Sequence, residues 1–198
     1  MTPHIFFVDD ELPVQRAVTS ILEKAGFNVS SFSCAVDCLQ QLPCRTCDLL
    51  ITDVAMPGMN GIELLTEIRQ TAPWVPVVIV TGYGDVPMTK AAFKLGVVDF
   101  IEKPFARQTL LSAVESALGR VSLPASLRGK PLTRTEMQVL RLILEGKTSR
   151  GIARARRRAL RTIEDQRTNI MRKLGVNNLV DLVKRAVLLG IVDPQRTG

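Results

Sequence analysis

Short apolar runs recur along the first 120 positions, and each is followed by a stretch with helical spacing. Residues 5–8, 49–52, 77–81 and 100–102 are runs of mostly apolar or β-branched character, and residues 29–32, VSSF, read as a further, weaker strand. Between and after them, residues 14–25, 35–42, 61–70, 87–95 and 106–118 place apolar side chains at helical intervals. Gly26 and Gly96 supply two of the helix stops. A strand that is apolar at every position is buried on both faces, which predicts a parallel sheet covered by helices on each side. Five such units predict an open, doubly wound α/β sheet, because a closed barrel of this kind needs eight.

After residue 120 the pattern changes. Residues 121–130, VSLPASLRGK, show no clear period and mix Pro, Gly and Ser, as a linker does. Beyond them no strand pattern returns. Thr133 with Glu136 forms a capping box that opens a helix to about residue 145, ended by Gly146. Thr148 starts a second helix. Residues 161–174 make a third, with Ile163, Ile170 and Leu174 on its buried stripe and Gly175 as its stop. Asn178 with Asp181 starts a fourth, running to about residue 192. The expected organisation is an α/β domain over 1–120, a linker over 121–130 and a small all-α domain over 131–198.

Charge separates the same two parts. The net charge of +7 divides unevenly: residues 1–120 hold 9 Lys and Arg against 13 Asp and Glu, net −4, and residues 121–198 hold 17 against 6, net +11. A strongly basic module joined to a mildly acidic one suggests a polyanion reader fused to a second function. Four short helices at +11 fit a helix-turn-helix reader of double-stranded DNA. No apolar run approaches the ~20 residues of a membrane-spanning helix, and the N-terminus lacks the basic and apolar regions of a signal peptide. A cytoplasmic protein with no membrane insertion is expected.

In an open parallel sheet, ligands bind beyond the carboxyl ends of the strands. Those ends carry Asp9 and Asp10 after the first strand, Asp53 after the third, Thr81 on the fourth and Lys103 after the fifth. Three converging carboxylates repel one another unless a cation lies among them. Ligands that are all oxygen suit Mg2+. Lys103 then offers a point charge for an anion and the Thr81 hydroxyl a donor to it. A divalent ion, a lysine and a nucleophilic carboxylate together describe phosphoryl transfer onto aspartate.

The motifs Val8-Asp9-Asp10-Glu11, Thr52-Asp53-Val54-Ala55-Met56-Pro57-Gly58, Val80-Thr81-Gly82 and Glu102-Lys103-Pro104-Phe105 resemble the receiver domains of two-component response regulators, and residues 81–105 are most similar to the FixJ/NarL class. The resemblance implies a flavodoxin-like fold with strand order 2-1-3-4-5 and a phosphohistidine on a sensor histidine kinase as donor to Asp53. It implies that Asp10, Asp53 and the Ala55 carbonyl hold Mg2+, with Asp9 in support. Thr81 and Phe100 match the paired switch positions, and Lys103–Pro104 the cis peptide such domains carry. It further implies a homodimer on phosphorylation, with residues 87–95 and Phe100–Ile101 as the candidate pairing face.

In the basic half, Leu132-Thr133, Glu136, Val139-Leu140, Glu145-Gly146-Lys147, Ile152-Ala153, Arg161-Thr162-Ile163-Glu164 and Ile170-Met171-Arg172-Lys173-Leu174-Gly175-Val176 resemble the LuxR-type effector domain. On that resemblance residues 161–174 are the recognition helix. Glu164, Asp165 and Thr168 would face base edges; Arg161, Thr162, Arg167, Arg172 and Lys173 would sit against phosphates. The last helix would pair two such domains on related half-sites.

One stretch departs from the family. Arg156-Arg157-Arg158-Ala159 stands where the family has Leu-Gly-Ile and a Ser or Thr cap, so a left-handed glycine and a capping hydroxyl are both replaced, and Gly151 replaces an acidic residue. Ile152, Ala159, Ile163, Ile170 and Leu174 also fall at spacings that suit one uninterrupted helix. The flanking family residues favour two helices with the arginines snorkelling outward. A phosphorylation-dependent transcriptional regulator is therefore expected, not an enzyme. The alternative is a phosphoacceptor interaction protein whose altered turn leaves DNA binding weak or non-specific. Cys34, Cys38, Cys44 and Cys47 are expected to be reduced thiols, since the helical rise separates them too far for one zinc site. His4 and Trp74 are expected to be structural.

Overall fold

The computed structural model describes residues 2–82, 92–120 and 130–191, and the chain divides into two compact units. Unit one comprises Met1–Arg69 and Val75–Ser122, and unit two Gln70–Trp74 and Leu123–Gly198.

Unit one holds the strands β1 (His4–Val8), β2 (Asn28–Phe32), β3 (Leu49–Asp53), β4 (Val77–Thr81) and β5 (Asp99–Glu102). All pairings are parallel, in the order β2-β1-β3-β4-β5. Each strand lies within one residue of its predicted bounds. The apolar runs are continuous because both faces are covered: Ile5, Phe6, Phe7 and Val8 are all fully buried. On one face Ile5, Phe7, Leu49, Ile51, Val78, Val80 and Ile101 pack with Val18 and Leu22 of α1 (Leu12–Lys24). Leu110 and Val114 of the helix Arg107–Arg120 complete that layer. Each such aliphatic side chain, withdrawn from water, contributes roughly 1.5–3 kcal/mol. The opposite face buries Phe6, Leu50 and Ile79, with Cys38 of α2 (Ala35–Gln41) and Leu64, Leu65 and Ile68 of α3 (Gly61–Thr71) also withdrawn from solvent. The helix Arg107–Arg120 is α4. α1 starts two residues before its predicted position because Pro13 is accommodated in the first turn. The predicted helix over 87–95 falls mainly outside the described residues, as does the linker over 121–130.

Arg69 joins α3 to the chain beyond it. Its guanidinium donates to the carbonyls of Leu95 at 2.7 Å, Val75 at 2.8 Å and Gly96 at 2.8 Å, and burial lowers its pKa to about 10.

Unit two is helical throughout its described elements: α5 (Arg134–Leu144), α6 (Ser149–Arg156), α7 (Leu160–Leu174) and α8 (Leu179–Leu188). Met137, Val139, Leu140, Ile143, Ile152, Ile163, Ile170, Leu174 and Leu182 are buried. The predicted caps form. Thr133 Oγ1 accepts from Glu136 N at 3.2 Å while Glu136 Oε2 accepts from Thr133 N at 2.7 Å. Thr148 and Asn178 cap α6 and α8 by the same side-chain route. α8 stops at Leu188 and not near residue 192. Gly190 takes φ +67°, and Ile191 N donates back to the Ala186 carbonyl, closing the last turn.

The altered turn resolves into two helices. α6 ends at Arg156, Arg157 adopts φ 49° and ψ 50°, and α7 starts at Leu160. The single-helix stripe is not realised, and Ala159 is exposed at the N-cap without a side-chain cap bond. Arg158 N donates to the Ala153 carbonyl and Arg157 N to that of Arg154. That pair of bonds also closes helical turns at Gly26, Gly96, Gly146, Gly175 and Gly190, all at positive φ. Arg157 is the non-glycine residue among these left-handed ends, at a backbone cost of roughly 1–2 kcal/mol.

Candidate functional site

The parallel register brings four strand ends to one edge of unit one. Val8 pairs with Thr52, Asp53 with Val80 and Thr81 with Glu102. Asp9, Asp53, Thr81 and Lys103 therefore lie at or just beyond the carboxyl ends of neighbouring strands, on either side of the point where strand order reverses.

The side chains converge. One carboxylate oxygen each from Asp9, Asp10 and Asp53 lies within 4.8 Å of the others. Asp9 is fully buried and Asp53 nearly so, whereas Asp10 is exposed. Lys103 Nζ reaches Asp9 Oδ2 at 2.8 Å, Asp53 Oδ2 at 3.1 Å and Glu11 Oε1 at 3.4 Å. Burial pushes the Asp9 carboxyl up, further than the Lys103 ammonium draws it back. The same burial would lower Lys103, but bonds to Asp9 and Asp53 outweigh it and hold the ammonium above its ordinary value. Four carboxylates, Glu11 included, face one ammonium, an excess of negative charge that suits a divalent cation. This all-oxygen donor set, open on the Asp10 side, fits a hard ion such as Mg2+.

Several supports were not legible as functional in the sequence. Asp9 Oδ1 accepts from Glu11 N at 2.9 Å, and Asp53 Oδ1 from Val54 N at 2.7 Å. The Gln15 amide donates to the Asp9 carbonyl and, at 3.3 Å, to that of Phe32, tying the ends of β1 and β2 together. Its signal was present: Gln15, Val18 and Leu22 share one buried face of α1, and Gln15 is its polar member. Gly61 opens α3 directly against Asp53, with Gly61 N donating to the Val54 carbonyl at 3.1 Å. Asn60 Oδ1 caps that helix by accepting from Ile62 N and Glu63 N, and Asn60 N donates in turn to Glu63 Oε2.

Of the remaining predicted positions, Ala55 is exposed in the loop two residues past Asp53. Thr81 is half-buried at the end of β4, and its carbonyl accepts from Lys103 N at 2.7 Å. The Lys103–Pro104 peptide is cis. Phe100 is half-buried against Phe93, ring centroids 5.1 Å apart. Ile101 does not belong to an outward pairing face: strand alternation turns it into the core, where it is 2% exposed. The four cysteines are free thiols, and no group of them approaches metal-binding distances. Cys38 and Cys47 are buried, which raises both thiols and leaves them unreactive. His4 Nε2 lies 2.9 Å from Ser30 Oγ and its ring meets Phe6 edge-on, a structural position.

Residues 5–115 match the response regulator receiver domain, and residues 130–186 the bacterial regulatory proteins of the luxR family. The chain belongs to the two-component response regulators. It is 36% identical to the transcriptional regulatory protein FixJ of Bradyrhizobium diazoefficiens, covering 96% of this chain and 97% of that one. FixJ of Rhizobium meliloti is also 36% identical, with 96% of each covered. Among solved structures, full-length FixJ from B. japonicum matches with a TM-score of 0.54 at 35% identity, covering 98% of this chain and 100% of that chain. The response regulator StyR matches at 0.56 and 34%, covering 94% and 99%. This response regulator is thus a phosphorylation-dependent transcriptional regulator of the FixJ-like class, built from a receiver and a LuxR-type DNA-binding domain. No helix among the described residues is long and apolar enough to cross a membrane.

In the LuxR-type domain, α7 exposes Arg161, Thr162, Glu164, Asp165, Thr168 and Arg172. Arg167 is half-buried, its guanidinium 3.4 Å from Ser149 Oγ. Lys173 is differently employed. Its ammonium lies 2.6 Å from Glu136 Oε2, inside the domain, where both side chains are largely withdrawn from water. Burial alone would raise the Glu136 carboxyl; Lys173 and the Thr133 backbone bond outweigh it and hold it below its ordinary value. Arg156 Nη2 is satisfied by Gln138 Oε1 at 2.7 Å.

Proposed function

We propose that Asp53 is the phosphoacceptor of this response regulator, and that its modification controls DNA binding by residues 131–198. The observation that carries this reading is the Lys103 ammonium shared by Asp9 and Asp53 at 2.8 and 3.1 Å, beside the exposed carboxylate of Asp10. Asp10, Asp53 and the Ala55 carbonyl would hold Mg2+, with Asp9 in support; the ion would neutralise charge on the transferring phosphoryl group.

Asp53 supplies a carboxylate oxygen as nucleophile. It forms an O–P bond as the N–P bond to the histidine of a sensor kinase breaks, and the imidazole leaves as the neutral base after taking up a proton. Lys103 then exchanges its bond to the free Asp53 oxygen for one to a phosphoryl oxygen. The Thr81 hydroxyl donates to the same group, and the Phe100 ring follows the space it vacates. Asp9 keeps Lys103 at the site throughout, because its buried carboxylate has no water to pair with instead.

On the effector side, α7 enters the major groove. Glu164, Asp165 and Thr168 face base edges, while Arg161, Thr162, Arg167 and Arg172 meet phosphates. The intact break between α6 and α7 supports sequence-selective reading over a degraded turn. Leu179, Val180, Val183, Val187 and Leu188 are exposed along α8, which supports pairing of two chains on related half-sites in the cytoplasm. Incubation with an acyl-phosphate donor and Mg2+, followed by gel-shift binding to the chain's own promoter region, tests the coupling. Phosphorylation-enhanced, sequence-selective binding supports it, and binding indifferent to the donor contradicts it.

A further inference from the structure

Between Glu145 and Glu164 the chain carries no carboxylate side chain, yet this stretch holds Lys147, Arg150, Arg154, Arg156, Arg157, Arg158 and Arg161. Arg156 is occupied by Gln138. The guanidinium groups of Arg154, Arg157 and Arg158 are exposed and have no hydrogen-bond or ion-pair partner among the described residues. Like charges gathered without counter-charge repel one another, and a polyanion relieves that repulsion.

Position matters as much as charge. Arg157 and Arg158 lie in the turn that leads directly into α7, and Arg154 in the last turn of α6 before it, so all three precede the N-terminal part of the helix that approaches a duplex. Its conformation also opposes the residue it holds. Gly146, Gly175 and Gly190 close the same kind of turn elsewhere in the domain without strain, whereas Arg157 holds φ 49° with a side chain attached. Backbone strain at an exposed turn, where glycine would remove it, points to a use for the side chain.

We propose that Arg154, Arg157 and Arg158 form a phosphate clamp on double-stranded DNA, additional to the contacts of α7. Arginine suits the task because its planar fork bonds phosphate oxygens in pairs. The clamp adds affinity and register without reading sequence. It rests on the DNA-binding reading above.

The test is fluorescence anisotropy of the full chain on mixed-sequence duplex DNA across a salt series, with thermal unfolding in parallel. Arg157→Gly should unfold at a higher temperature and yet bind DNA several-fold more weakly. Its log affinity against log salt should be shallower by about one. Arg157→Lys should keep the wild-type salt slope, since the charge remains. The double variant Arg154→Gln/Arg158→Gln, at exposed positions, gives an independent reading and should be shallower by about two. Unchanged affinity and slope in Arg157→Gly and in the double variant would overturn the clamp while leaving α7 as the reader. A wild-type chain that ignores duplex DNA even at low salt would overturn the DNA-binding reading, and the clamp with it.

Discussion

The Cα of Gly61 faces the main-chain carbonyl of Asp53 so closely that a Cβ placed there would fall 2.1 Å from that oxygen. The start of α3 and the end of β3 thus fix each other, and Asp53 cannot shift without moving the helix. Backbone oxygen offers no rotamer by which to yield.

Gly61→Ala should therefore force apart the segment that aims Asp53. The expected loss is about 1–3 kcal/mol of stability, together with slower labelling by an acyl-phosphate donor. Urea unfolding and labelling rates check both, and wild-type values in each would show that the close approach is immaterial.

Gln15 is a positioning residue for Asp9. Gln15→Ala leaves the Asp9 and Phe32 carbonyls without their side-chain donor and should weaken Mg2+ binding by about tenfold or more, as loss of an outer-shell partner does. Calorimetric titration of Mg2+ measures it. Gln15→Glu should also weaken binding, since the carboxylate offers those carbonyls no donor.

The pair of Glu136 and Lys173 predicts a pH dependence. Glu136 is held below its ordinary value, so the folded chain binds its proton less readily than the unfolded chain. Its contribution is complete above the unfolded carboxylate range of about 4.3, and is lost as pH falls through the lowered folded value. Glu136→Gln should cost roughly 1–3 kcal/mol at neutral pH and flatten the acid limb of helical unfolding monitored by circular dichroism. An acid limb unchanged by the substitution contradicts the assignment.

Ala159 leaves the first turn of α7 without a side-chain cap. Ala159→Ser should stabilise the LuxR-type domain by about 1 kcal/mol, read as a higher denaturant midpoint. No gain would mean that the exposed amides at that end already have better partners.

The central strands were legible because burial on two faces leaves a continuous apolar run. The strand order came only from the resemblance to receiver domains, and the edge strand β2, NVSSF, carries a weaker signal because it is only partly covered. Asp9, Asp10, Asp53, Thr81 and Lys103 were legible for a related reason: parallel strands bring their carboxyl ends together wherever those ends lie in sequence. Gln15 is marked in the sequence only as the polar member of α1's buried face, which does not say what it bonds. Gly61 works through the main-chain carbonyl of Asp53, an approach that no local pattern encodes. Lys173 matched a phosphate-contacting position, but Glu136, thirty-seven positions away, engages its ammonium inside the domain. Two helices meet at Arg157 because the flanking residues fix both of them, although the turn residue itself disfavours its own conformation. Ile101, expected on a pairing face with Phe100, points the other way, because alternation along β5 turns it into the core.

The most direct test is mass spectrometry of the full chain after exposure to an acyl-phosphate donor. One phosphoryl group should appear on the peptide containing Asp53, only when Mg2+ is present, and should vanish in Asp53→Asn. Label on any other residue, or equal labelling after chelation of Mg2+, would contradict a site built from these three carboxylates and Lys103.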